Sequence, residues 1–328
     1  MLFRFLHVSD THFCVEPKRA NVVSLFRRNL LAYFDAVVHQ ANEFGVWSLM
    51  RPASYLPEVS SGIAEHAFRR ARVLDAIIYS GDLATTGIAT DLNTARTFVE
   101  GPVDDGFVTS NGEPTLGAAK RPIHMVPGNH DTYADNKATP GSPNFGLTFQ
   151  KYLKNWNKGV GHRLIAKGEE RLAIISADFT LRTRRDASDP WFKVYGQGRV
   201  YDDVLNELIA RTKALGANHK SLGIIWLVHF APYHCDTKIE LRGFTQLQKA
   251  ARDCKVHAIL CGHTHEVAKV EVYGVPTYCA GSAASIDKEG MNAIHEIEFS
   301  AAFGGWSVRR DTFRWQSELG QFAKAESD

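Results

Sequence analysis

Five short clusters of potential ligands punctuate this chain. Asp10 and His12 stand two positions apart in SDTH, and Asp82 follows Gly81 directly. Asn129, His130 and Asp131 follow Pro-Gly in VPGNHDTY, His229 follows IIWLV, and His263 and His265 stand two apart in CGHTHE. Each cluster alone is ordinary, since Pro-Gly, Asn and Asp are common turn residues. Their placement is less ordinary, because each closes an apolar run. A carboxylate such as Asp82 at the end of a buried run is costly unless it is paired or metal-bound. Residues two apart on a strand share a face, so Asp10 with His12, and His263 with His265, can each aim at one spot.

The runs that must position these clusters read as buried strands: 2–8, 74–80, 123–126, 172–177, 222–228 and 256–261. Continuous apolar stretches of this length suit strands covered on both faces. Between them, 24–44, 64–74, 202–215 and 245–253 carry apolar residues at helical spacing. Alternating strands and helices predict an α/β sheet, whose ligands gather at the carboxyl ends of strands. After Glu266 the chain reads instead as closely spaced strands with short turns (VAKVEVYG, VPTYCAGS, NAIHEIEFS, GWSVRRDTFRW), an antiparallel finish. Loops 101–121, 132–146 and 180–200 are long enough to carry function. His12 and Asp82 are 70 positions apart, more than one crossover helix needs. Residues 45–63 are the candidate for a small cap over the crevice. The segment after Trp315 reads as a polar tail, either loose or used in assembly.

Composition narrows the classes. The 328 residues carry 38 Lys and Arg against 36 Asp and Glu, far from the basic excess of a dedicated nucleic-acid binder. The five cysteines are odd in number and form no C-x-x-C pair, which fits a reducing compartment. The apolar start gives way to polar residues at Ser9, too soon for a signal peptide, and no run approaches the roughly 18 apolar residues of a membrane span. The expectation is a cytoplasmic protein forming one domain over 1–328.

In order, SDTHF (9–13), SGDLA (80–84), PGNHD (127–131), VHFAP (228–232) and CGHTHE (261–266) resemble the motif set of the calcineurin-like metallophosphoesterase superfamily. The resemblance implies a four-layer α/β/β/α sandwich, two mixed sheets flanked by helices. It implies two metal ions: Asp10, His12, Asp82 and His265 hold the first, and Asp82, Asn129, His229 and His263 the second, with Asp82 shared. Mixed oxygen and imidazole ligation suits manganese, iron or zinc better than calcium. Two divalent ions, two carboxylates and a shared hydroxide leave about one net positive charge, enough to receive an anionic phosphate. The shared water, its pKa lowered from 15.7 toward about 7, is the expected nucleophile. The family makes His130 the proton donor to the leaving oxygen, a role that an imidazole suits near neutrality. Asp131 is expected to support the ligands rather than bind metal.

Subfamily wording points further. Purple acid phosphatases place a tyrosine where this chain has Thr85, and Ser/Thr protein phosphatases continue G-D-x-V-D-R-G where this chain reads GDLATTG. The motifs look most like those of bacterial cyclic-nucleotide and glycerophosphodiester phosphodiesterases. The expected function is therefore hydrolysis of small phosphodiesters, with a phosphomonoesterase, a nuclease or a lipid-pyrophosphate hydrolase as alternatives. A non-catalytic scaffold fits poorly with a complete ligand set. Tyr233, His234 and Arg182 are substrate contacts by position only.

Overall fold

The computed structural model describes residues 1–15, 55–101, 114–134, 139–186, 196–219, 221–235, 239–302 and 305–327. The expected helix 24–44 and residues 45–54 of the expected cap lie outside them. In chain order the strands are β1 (Leu2–Val8), β2 (Ala76–Tyr79), β3 (Ile123–Met125), β4 (Val160–Lys167), β5 (Glu170–Ala177), β6 (Gly198–Arg199), β7 (Leu222–Leu227), β8 (Leu241–Arg242), β9 (Ala258–Cys261), β10 (Val267–Val272), β11 (Val275–Ala280), β12 (Ala293–Ala302), β13 (Gly305–Gln316) and β14 (Gln321–Ser327).

Two six-stranded sheets result, ordered β14-β13-β12-β1-β2-β3 and β10-β11-β9-β7-β5-β4. In the first, β1, β2 and β3 are parallel and the C-terminal strands β12, β13 and β14 add antiparallel. In the second, β5, β7, β9 and β11 are parallel, with β4 and β10 antiparallel at the two edges. The runs read from sequence as buried strands all appear. Alternation within them builds the layers. On β1, Phe3 and Phe5 enter a core shared with Leu172, Ile174, Ile225 and Leu260 of the facing sheet. Leu6 and Val8 point the other way, onto Val59 and Ile63 of the helix Pro57–Arg70. On β7, Ile225 and Leu227 face between the sheets while Ile224 and Trp226 pack with Val204 and Leu208 of the helix Asp202–Asn218. The architecture is the expected sandwich of two mixed sheets between helical layers.

Three local expectations change. Residues 57–63 are the first turns of the helix Pro57–Arg70, which begins earlier than the 64–74 pattern suggested and buries Val59, Gly62 and Ile63 in the core. The tail after Trp315 is ordered, because β14 pairs with β13 and Phe322 packs edge-on against Trp315 with ring centroids 5.4 Å apart. Its polar look follows from its place at a sheet edge, with one face in solvent. VGHRLIAK (160–167), not read as a strand, is the edge strand β4.

Candidate metal centre

The five clusters meet at one end of the sandwich, just past β1, β2 and β3 in one sheet and β7 and β9 in the other. Strand alternation is not what pairs their side chains. β1 ends at Val8 and β9 at Cys261, so both two-apart pairs lie beyond the pleat. Instead Asp10 (φ 53°), His12 (54°), Asp82 (52°), His263 (75°) and His265 (56°) are all left-handed. A non-glycine residue there costs on the order of 1–3 kcal/mol and persists only where its surroundings hold it. Here backbone bonds zip the turns together: Asp10 N–H donates to Gly81 C=O at 3.0 Å, His12 N–H to Asp82 C=O at 3.1 Å, and Gly262 N–H to His229 C=O at 2.9 Å. Gly128 and Gly262 permit the close approach. A Cβ on Gly128 would overlap Asp82 Oδ1, and one on Gly262 would overlap Ser9 Oγ.

Hydrogen bonds on the outer atoms fix what the inner atoms can do. His229 Nδ1 donates to Ser80 C=O at 2.7 Å, and His263 Nε2 donates to Ile239 C=O at 2.9 Å. A carbonyl only accepts, so each ring carries its proton on the outer nitrogen and turns a lone pair inward. Asn129 Nδ2 donates to Tyr133 OH at 2.6 Å, which leaves its Oδ1 facing inward. The inward atoms then crowd one point. His229 Nε2 lies 3.1 Å from Asn129 Oδ1, 3.2 Å from His263 Nδ1 and 3.3 Å from Asp82 Oδ2. Four acceptors that converge without a donor among them fit a cation.

A second cluster adjoins it. His12 Nε2 and His265 Nε2 are 3.1 Å apart, His265 Nε2 is 3.4 Å from Asp10 Oδ1, and His12 Nε2 is 4.0 Å from Asp82 Oδ2. Asp10 Oδ2 accepts His263 N–H at 3.0 Å, while the buried Oδ1 receives no hydrogen bond from the described residues. An orphaned carboxylate oxygen beside two imidazole nitrogens is again a cation's ligand set. Asp10, His12 and His265 form one three-residue group, Asp82, His229 and His263 a second, and His12, Asp82 and His130 a third that joins them.

The electrostatics agree. Burial pulls His12 down to about 3, with His130 adding to the effect, and burial and His229 do the same to His263. Both are neutral imidazoles near pH 7. Burial works against the charges on Asp10 and Asp82, yet the neighbouring histidines hold both carboxyls below their ordinary values. Burial alone would lower His229, but the Asp82 charge raises it to about 9. A proton on His229 relieves one pair of acceptors, whereas a cation relieves all four.

His130 stands over the junction, its ring 4.6 Å from that of His12. Its N–H donates to Asp82 Oδ1 at 2.9 Å, and its Nδ1 donates to Thr85 C=O at 2.7 Å. With the proton on Nδ1, Nε2 is the acceptor nitrogen of the ring. Asp131 is buried and accepts the N–H groups of Ala84 at 2.8 Å, Gly128 at 2.9 Å and Leu83 at 3.2 Å. Burial and the Asp82 charge push its carboxyl up to about 7 against those donors. It ties the turn after β2 to the turn after β3.

The positional candidates for substrate contact fare differently. Arg182 pairs with Asp203 at 3.1 Å and stacks on Tyr201 at 4.3 Å. His234 is exposed, 3.7 Å from Glu240. Tyr233 packs beside the second helical layer, and burial pushes its hydroxyl above the ordinary range. Sequence reasoning missed Tyr133, which accepts from Asn129 and also from Gly196 N–H at 3.2 Å. Its position two residues after Asp131 was the available signal.

A four-layer sandwich with two adjoining acceptor clusters at its strand ends defines a metallophosphoesterase. Residues 3–267 match the family model for calcineurin-like phosphoesterases, and the chain belongs to that family. Among solved structures it is similar to a dimetal phosphatase from Danio rerio (11% identity, TM-score 0.62, covering 99% of this chain and 98% of that one). It is similar to GAP50, the anchor in the inner membrane complex of Plasmodium (12% identity, TM-score 0.51, covering 100% and 89%). It also resembles a putative 5'-nucleotidase from Staphylococcus aureus (12% identity, TM-score 0.50), spanning about half of that protein at 53% while 94% of this chain is covered. At these identities the likeness speaks for the fold. No curated protein matches the sequence. No described helix is long and apolar enough to cross a membrane.

Proposed function

We propose that the chain is a two-metal phosphoesterase acting on small phosphodiesters. The observation that carries this reading is the pair of acceptor clusters joined through Asp82. Asp10, His12, Asp82 and His265 would hold one ion, and Asp82, Asn129, His229 and His263 the other. When bound, the two ions supply positive charge to the phosphoryl oxygens and lower the pKa of a water at the site. The chain supplies the rest. Ser80 and Ile239 carbonyls hold two imidazoles in the tautomer that binds metal. Tyr133 keeps Asn129 oriented. Thr85 C=O anchors His130, whose Nε2 delivers a proton to the leaving oxygen.

Charge favours the diester over the monoester. Two carboxylates and a shared hydroxide against two divalent ions would leave about one net positive charge, which a singly charged phosphodiester matches better than a doubly charged monoester. The test compares hydrolysis of bis-p-nitrophenyl phosphate with that of p-nitrophenyl phosphate on protein loaded with Mn²⁺, followed by cyclic nucleotides and glycerophosphodiesters. The diester should turn over faster. A preference for the monoester overturns the diester assignment, and failure on every phosphoester overturns the phosphoesterase reading.

A further inference from the structure

A second cleft of 480 Å³ opens between the free edges of the two sheets, where β3 and β4 lie on the same side of the sandwich. It shares no residue with the acceptor clusters. Lys151, Lys154, Arg163, His124 and His162 line it, and among the described residues no Asp or Glu does. That imbalance is notable in a chain whose acids and bases nearly cancel. Lys154 and Arg163 are exposed and form no ion pair with any described residue, whereas Lys151 pairs with Glu100 at 2.9 Å.

The neutral groups in the cleft are donors or unfilled. Arg211 donates to His162 Nδ1 at 3.3 Å and to Asn155 C=O at 3.0 Å. Nδ1 therefore accepts, and the proton of His162 sits on Nε2. His124 Nε2 is buried and has no hydrogen-bond partner among the described residues. Burial, helped by the Arg163 charge, pulls His124 down to about 3.

The cleft also has aromatic walls. Tyr152 and Trp156 line it. The Trp156 indole lies directly against β4 because Gly161 has no Cβ; one there would overlap Nε1. Cations beside aromatic faces, with no carboxylate, match a phosphate carried on a flat base. We propose that this cleft binds a nucleoside phosphate at a site separate from the metal centre. β3 runs from the cleft wall into the turn that bears Asn129 and His130, so the occupant abuts the strand that delivers two residues of the metal centre.

The probe is α,β-methylene-ADP, which resists hydrolysis, measured by equilibrium dialysis against metal-loaded protein. The comparison is a Lys154→Glu/Arg163→Glu variant, whose exposed sites leave the core intact. Wild type should bind one more equivalent than the variant, or bind it at least about tenfold more tightly. Both should hydrolyse bis-p-nitrophenyl phosphate at rates within about twofold, since neither residue lies at the metal centre. Equal stoichiometry and equal affinity in the two proteins overturn the site. Inorganic phosphate should bind the cleft about tenfold more weakly than the nucleotide analogue, because stacking is lost. Equal affinity for the two overturns the nucleoside assignment.

Discussion

Asp82 Oδ2 stands 3.3 Å from His229 Nε2, and the outer nitrogen of that imidazole is already committed to Ser80 C=O. Two acceptors are thus pressed together in a buried place where only a proton or a cation can sit between them. The same carboxylate lies 4.0 Å from His12 Nε2 in the adjoining cluster. One side chain faces both clusters.

Asp82→Ala should therefore lose both ions together. Metal content after dialysis, read by emission spectrometry, should fall from two ions per chain to below one. Turnover should fall by at least about a hundredfold. A variant that keeps two ions and full turnover would sink the shared-ligand assignment.

His130→Ala should separate chemistry from metal binding. The backbone N–H that His130 gives to Asp82 Oδ1 at 2.9 Å survives the substitution, so Asp82 keeps its support. What disappears is the ring held by Thr85 C=O. Expected is a loss of about 10²–10⁴ in kcat with metal content unchanged. The loss should shrink for substrates with nitrophenol leaving groups, which need little proton assistance. Equal losses for good and poor leaving groups would argue that the ring positions rather than protonates.

Asp131 ties two turns together, and its removal should register as stability before chemistry. Asp131→Ala orphans three buried N–H groups, those of Leu83, Ala84 and Gly128. At about 1–3 kcal/mol for each stranded donor, the loss should exceed about 3 kcal/mol in urea unfolding. The loss should persist in chelator, because the donors belong to the backbone and not to the metals. Asp131→Asn retains one acceptor and should recover part of it. A variant destabilised only in the presence of metal would place Asp131 among the ligands instead.

How much of this was legible in the sequence depends on which atoms do the work. That Asp10, His12, Asp82, Asn129, His229, His263 and His265 gather into two acceptor clusters was legible because few residue types carry such acceptors, and because their clusters close strands whose apolar runs are also visible. The manner of convergence was not. Alternation along a strand suggested that the two-apart pairs share a face, whereas left-handed turns bring them together. Such a turn at Asp or His leaves no compositional mark of the kind glycine leaves. The atoms that set the tautomers are carbonyls of Ser80, Thr85 and Ile239, and any residue supplies a carbonyl. β14 was hidden for a different reason. An edge strand needs only one buried contact, here Phe322 on Trp315, so its sequence reads as polar tail.

Outside the acceptor clusters, Glu296 on β12 makes the fold sensitive to acid. Its carboxylate accepts Arg70 Nε and Nη2, each at 2.7 Å, and lies 3.1 Å from His66 Nε2. These contacts clip the helix Pro57–Arg70 onto the first sheet. Burial raises the carboxyl's pKa, but the bonds from His66 and Arg70 win and bring it down to about 2. A folded-state value below the unfolded one means that the group stabilises above the unfolded pKa of 4.5. That contribution fades as pH falls from about 4.5 toward about 2 and is gone below both values. At 1.36 kcal/mol per unit it amounts to at most about 3 kcal/mol, reduced by the solvent that reaches Arg70. Glu296→Gln should remove the titration. The unfolding free-energy difference between wild type and variant should be largest at pH 6 and should narrow steadily between pH 5 and pH 3. A difference that stays constant across that range would show that the bonds to Arg70 and His66 do not depend on the carboxylate's charge.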